Sequence, residues 1–153
     1  MMKKRLISLL ALLIGSLAQV TFAQFQPAAI PQPRLPQVPL TIGLQVIQAE
    51  MAVNNEQRQI GLMQRPALGQ NEGMLFIFPE AGVQCFWMRN TIIPLTAAFI
   101  DDDGTIVNLA DMQPLRDDSH CSKKPVRYVL EMTQGWFKQK GIKAGQKVQG
   151  IPK

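Results

Sequence analysis

The stretch Leu95-Thr96-Ala97-Ala98-Phe99-Ile100-Asp101-Asp102-Asp103-Gly104-Thr105-Ile106-Val107-Asn108-Leu109-Ala110 reads as strand, turn and strand. Leu95–Asp101 is apolar up to its acidic end. Asp102-Asp103-Gly104 then marks a tight hairpin, because Asp and Gly tolerate a positive φ. Thr105–Ala110 returns. Working outward, Val126–Met132 alternates apolar and polar side chains at the two-residue period of a strand. Val148–Ile151 supplies a short last strand, Gly135–Lys140 one helical turn, and 112–125 a long loop. Upstream, Leu40, Ile42, Leu44 and Val46 alternate as one strand. Asn54 and Asn55 offer an N-cap to a short helix through about Met63, closed by Pro66. Gly73–Phe78 is a strand, Pro79-Glu80-Ala81-Gly82 a turn, and Gln84–Met88 another strand. Short strands at this spacing, few helices and no βαβ rhythm predict a mainly β domain over 40–153. It is a compact barrel or sandwich with one or two short helices.

The N-terminus reads as an address. Lys3, Lys4 and Arg5 precede the apolar run Leu6–Leu17, and Thr21-Phe22-Ala23 resembles a cleavage box. This is the three-part pattern of a secretory signal peptide, expected to be cleaved after Ala23. The apolar run is shorter than the roughly 18–20 residues of a spanning helix. No second run reaches that length, so no transmembrane segment is expected once the signal is removed. The expected destination is the periplasm or beyond. Pro27, Pro31, Pro33, Pro36 and Pro39 make 24–39 a proline-rich spacer.

Export also changes the meaning of the charge. The 153-residue chain carries 16 basic and 11 acidic residues and a net charge of +5. Without Lys3, Lys4 and Arg5 the balance is 13 against 11, about +2. The basic character therefore does not argue for nucleic acid. The C-terminal lysines Lys138, Lys140, Lys143 and Lys147 read as a solvated face.

Three clusters lie close together: Gly61-Leu62-Met63-Gln64-Arg65, Gly73-Met74-Leu75-Phe76-Ile77-Phe78, and Trp87-Met88-Arg89-Asn90-Thr91. The last is followed by Ile93-Pro94-Leu95 and Phe99-Ile100-Asp101, and further on by Val129-Leu130-Glu131-Met132, Gly135 and Gly141-Ile142. In order and spacing these resemble the domain of unknown function 192 family over roughly residues 40–150. The resemblance implies a compact β-rich fold and supplies no activity. Where the family pattern has Asp after its Pro-Leu pair, this chain has Thr96. A hydroxyl cannot act as a carboxylate base, so a shared acid–base mechanism built on that position would be missing here.

The chemistry-bearing residues support several readings. Cys85 and Cys121 are the only cysteines, and an even count in an exported chain argues for a disulfide. Arg65, Trp87, Arg89 and Asn90 form a candidate ligand-binding set, with the indole stacking and the polar groups orienting a ligand. A small molecule, a carbohydrate or another envelope component would suit them. His120, the only histidine, stands beside Asp117 and Asp118 and admits a hydrolase. Cys85, Met88, His120 and Cys121 are soft enough to hold Cu(I). One His and two Cys leave a closed zinc site short of ligands. Asp101-Asp102-Asp103-Gly104 lacks the alternating ligands and final Glu of a calcium loop and reads as a turn. The preferred expectation is a non-enzymatic exported binding or accessory module that needs no cofactor. The hydrolase and the copper-handling protein are the alternatives.

Overall fold

The computed structural model describes residues 30–152, and the expected signal segment lies outside them. Nine strands and two short helices follow one another among these residues: β1 (Gln37–Ile42), β2 (Gln45–Ala52), α1 (Asn55–Ile60), β3 (Glu72–Gly82), β4 (Cys85–Phe86), β5 (Leu95–Ile100), β6 (Ile106–Met112), β7 (His120–Cys121), β8 (Val126–Thr133), α2 (Trp136–Gln139) and β9 (Val148–Gln149). Seven form one sheet in the order β6-β5-β8-β3-β2-β1-β9, while β4 and β7 make a separate ribbon. The large sheet curls so that its two edges approach at one end. Thr105 pairs with Lys147, and the Val148 N–H donates to the Gly104 carbonyl at 2.8 Å. The mainly β, barrel-like class expected from the strand spacing is therefore the one the chain adopts.

Apolar side chains cover the sheet on both sides. One face packs Leu40, Ile47, Leu75, Ile100, Leu130 and Phe137 into one cluster. The opposite face packs Leu62, Met74, Phe76, Met88, Phe99 and Val129 into a second. The quoted stretch explains why two clusters form. Every residue of β5 is buried, since the strand lies between β6 and β8 with both faces covered, and such a strand needs no polar alternation.

Three local readings change. The expected single strand Leu40–Val46 is a hairpin: Thr41 pairs with Val46 and Ile42 with Gln45 across Gly43 and Leu44. Gly43 has φ +58°, which a two-residue turn requires and Gly adopts without steric cost, and Leu44 is 96% exposed at the tip. A period-two pattern carries no mark of the reversal except that glycine. Pro79–Gly82, read as a turn, continues β3 through a register shift between Ile77 and Gly82, the signature of a bulge that bends the strand. The absence of a βαβ rhythm is also corrected. β2 and β3 are parallel and joined through α1, because parallel neighbours need a crossover. The helix starts as its sequence predicts: Asn54 Oδ1 accepts from the Gln57 N–H at 2.9 Å, and the Gln57 side chain accepts back from the Asn54 N–H.

Part of the proline-rich segment lies on the domain. Residues Gln37–Pro39 belong to β1. Gln32 is buried and donates to the Gly61 carbonyl at 2.8 Å, while the Leu35 N–H donates to Glu50 Oε2 at 2.8 Å. Proline removes backbone donors, and these side-chain and flanking N–H bonds replace them.

Candidate functional site

A cavity of about 520 Å³ opens on the second face of the sheet. Its walls come from three elements. α1 and the residues after it contribute Arg58, Leu62 and Met63, β3 contributes Phe76 and Phe78, and the β4 segment contributes Phe86 and Trp87. Gly61 ends α1 at φ +50°, and a Cβ there would lie 3.2 Å from the Phe76 ring. The chain turns into the cavity wall at a position where only glycine fits without displacing that ring. Phe86 is the centre of the aromatic lining. It meets Phe76 edge to face at 4.8 Å, Phe78 at 6.5 Å and Phe99 at 6.0 Å, separations at which T-shaped ring pairs attract.

The ribbon carrying Phe86 is only two residues long on each side and is held covalently. Cys85 and Cys121 face each other across it and are joined by a disulfide, as their even count predicts. A two-stranded ribbon of this length has little stability of its own, so the disulfide fixes this wall of the cavity.

Glu131 lies on the cavity floor. It sits on β8 opposite Met74 of β3 and Ala97 of β5, both fully buried. The residue is 4% exposed, and its carboxyl takes part in no hydrogen bond among the described residues. Desolvation alone pushes its pKa up to about 8, because a carboxylate removed from water without a partner is costly and the proton is kept instead. Arg58 also borders the cavity but is spent elsewhere. It donates to the carbonyls of Val53 at 2.6 Å and Ile77 at 2.8 Å, and its guanidinium lies 5.1 Å from the centre of the Phe78 ring.

The four residues expected to bind a ligand are not brought together as one set. Trp87 lines the cavity and is 44% exposed. Arg89 stacks on its indole at 4.1 Å and pairs with Asp117 at 3.0 Å, which holds the Asp117 carboxyl below its usual range. Asn90 turns the chain at φ +59°, and its carbonyl accepts from the Gln64 N–H at 2.9 Å. Arg65 points away into the protein. Its guanidinium is 2.8 Å from Glu50 Oε2, with both side chains buried. The backbone beside Arg65 does meet Asn90, through the Gln64 N–H, but the Arg65 side chain answers to a buried carboxylate.

The alternative constellations are not assembled. His120 Nδ1 lies 3.1 Å from the Asp118 backbone oxygen, while the Asp117 and Asp118 carboxylates pair with Arg89 and Arg116. The hydrolase arrangement of His120 with an adjacent acid is therefore absent at those two residues. In the copper set, the sulfurs of Cys85 and Cys121 are bonded to each other and Met88 is buried in the core. Asp101, Asp102, Asp103 and Gly104 form the turn expected of them. Asp101 Oδ1 accepts from the Thr105 N–H at 3.2 Å, and Asp103 Oδ1 accepts from the same donor at 2.9 Å. Thr96 donates to Asp111 Oδ1 at 2.6 Å from directly across the β5–β6 pair. The C-terminal lysines divide: Lys147 pairs with Asp103 at 3.0 Å, while Lys138 and Lys143 border a second cavity of about 330 Å³ with Thr96 and Asp111.

Sequence reasoning did not single out Glu131, although a signal was present. It is the one acid in Val126–Thr133, and it shares a strand face with Val129. A carboxylate in the fully buried stretch Tyr128–Met132 of a strand is a candidate functional group.

Comparison with known proteins agrees with the fold. The family model DUF192, described as uncharacterized ACR, matches residues 38–150. Two solved structures superpose well. One is a Sinorhizobium meliloti 1021 protein described as a candidate transcription regulator, 36% identical with TM-score 0.71, covering 74% of this chain and 92% of its own. The other is a protein of unknown function from Novosphingobium aromaticivorans DSM 12444, 36% identical with TM-score 0.74, covering 81% of this chain and 92% of its own. No curated protein matches the chain.

Proposed function

The chain belongs to the DUF192 family, and from that premise we propose that it is an exported, non-enzymatic module that binds a small molecule in the cavity between α1 and β4. The observation that carries this reading is the cavity itself. Its volume falls within the roughly 300–1,000 Å³ of small-molecule sites, and it combines an aromatic lining with a few polar groups. Trp87 and the Arg89 stacked on it stand at the rim, where an incoming ligand meets them first. Export rests on the Lys3–Ala23 pattern, and a disulfide next to the cavity suits an oxidising compartment.

The test is a thermal-shift screen of small molecules against the full chain. A ligand that binds only the native state raises the melting temperature. Hits should stabilise the parent and lose most of that effect in Trp87→Ala, whose own melting should stay near the parent's because the indole is half exposed. Equal stabilisation of parent and variant rejects the cavity. Export is checked by fractionating cells and sequencing the N-terminus of the released protein. A mature chain beginning at Gln24 is expected, and retention of Met1 in the cytoplasm overturns it.

A further inference from the structure

Resting on the cavity reading above, we infer that the ligand carries an organic ammonium group and that the Glu131 carboxylate receives it on the cavity floor. Three observations meet at this point. The Glu131 side chain is buried, lines the cavity, and is engaged by no donor among the described residues. The groups beside it in the sheet, Met74 and Ala97, are apolar and offer no counter-charge. The arginine lining the space, Arg58, is held by two backbone carbonyls at the wall.

A ligand that supplies a positive donor satisfies that carboxyl, and a charge-assisted hydrogen bond to a buried group is among the stronger ones available. The walls favour the same chemistry. Phe76, Phe78 and Phe86 surround the space with aromatic rings, and a ring face attracts a cation. Phe78 already accepts the Arg58 guanidinium in this way. An anionic ligand finds the reverse, a carboxyl on the floor, with Arg58 at the wall and Arg89 at the rim both already engaged. The charged groups facing Glu131 on the same sheet face are few. Glu50 lies two strands away and is paired with Arg65, Arg58 approaches from α1, and Arg127, four residues before Glu131 on β8, donates to the Phe78 carbonyl at 3.3 Å.

Binding an ammonium also moves a proton. With its pKa raised to about 8 by burial, Glu131 holds its proton at pH 7 when the cavity is free. The ammonium keeps its own three protons and pairs with the carboxylate, so the Glu131 proton passes to the buffer. Linkage makes that release more than about half a proton for each ligand bound at pH 7.

The experiment is calorimetric titration of the full chain with benzylamine and with benzyl alcohol, its neutral counterpart, at pH 7 in two buffers of different ionisation heat. Benzylamine should bind with release of more than about half a proton. Glu131→Gln should weaken benzylamine by at least about tenfold, the low end of a hydrogen bond to a charged group, and leave benzyl alcohol within about twofold. Equal binding of the two probes, insensitive to Glu131→Gln and without proton release, overturns the ammonium assignment and leaves the cavity reading standing. Failure of both probes to bind the parent overturns both. Should Glu131→Gln not fold, proton release in the parent decides by itself.

Discussion

Glu50 and Glu131 face the same side of the sheet with Met74 in register between them, yet only Glu50 has a counter-charge. Two strand spacings separate them, roughly 10 Å. Glu50 receives Arg65 at 2.8 Å, Arg34 at 2.9 Å and the Leu35 N–H at 2.8 Å. Glu131 receives nothing and opens on the cavity. The first carboxylate is built into the fold, and the second is left available to a ligand.

The first prediction separates the two arginines on Glu50. Arg65 has a side chain 7% exposed, whereas that of Arg34 is 54% exposed. Arg65→Met removes the buried partner and leaves Glu50 only the exposed Arg34 and the Leu35 N–H, so it should cost up to about 3 kcal/mol, the low end for breaking a buried pair. Arg34→Met should cost less than about 1 kcal/mol, as exposed pairs do. Urea unfolding of both variants measures the difference, and equal costs would show that Arg65 is not the structural partner.

Glu131 carries a pH dependence of definite sign. Its folded-state pKa is raised from 4.5 to about 8. Between those values the unfolded chain has released the proton and the native chain has not. Native stability therefore falls as pH rises from about 5 to 8. Glu131→Gln removes the titration, so its stability relative to the parent should improve by a few kcal/mol over that range. Denaturant midpoints at pH 5 and pH 8 provide the check, and parallel shifts of the two proteins would contradict it.

Cys85→Ala combined with Cys121→Ala should lower both stability and ligand response. The cysteines are 36 residues apart, and the chain-entropy model assigns a loop of that size about 4 kcal/mol at most. The ribbon bearing Phe86 also loses its link, so ligand-induced stabilisation should fall further than melting alone explains. Reductant added to the parent should reproduce both effects. A parent indifferent to reductant would rule out a stabilising role for the bond.

Thr96→Asp tests the hydrogen bond across the β5–β6 pair. Thr96 is buried and faces Asp111 at 2.6 Å. A second carboxylate there would meet a like charge across the strands, which should cost about 1–3 kcal/mol at pH 7 through repulsion and desolvation. Adding Asp111→Asn should recover much of that cost, and a double-mutant cycle measures the coupling. Additive effects would mean that the two positions do not interact in this way.

The sequence by itself determined the β-rich class, the hairpin at Asp102–Gly104, the cap at Asn54 and the expectation that Cys85 and Cys121 pair. Each of these depends on local periodicity, on the backbone freedom of one or two residues, or on a count, and all of those are written along the chain. The hairpin reversal at Gly43 was partly legible, but alternation continues through it and hid the turn. Tertiary structure alone decided the candidate site. Arg65 suits a ligand pocket by residue type, and the fold turns it inward to Glu50 on β2. Glu131 is one letter in a mostly apolar strand until β3 and β5 close on either side of it with apolar partners, Met74 and Ala97. Which charges are neutralised, and which face a cavity unpaired, depends on distances between strands far apart in the sequence. No pattern along the chain records those distances.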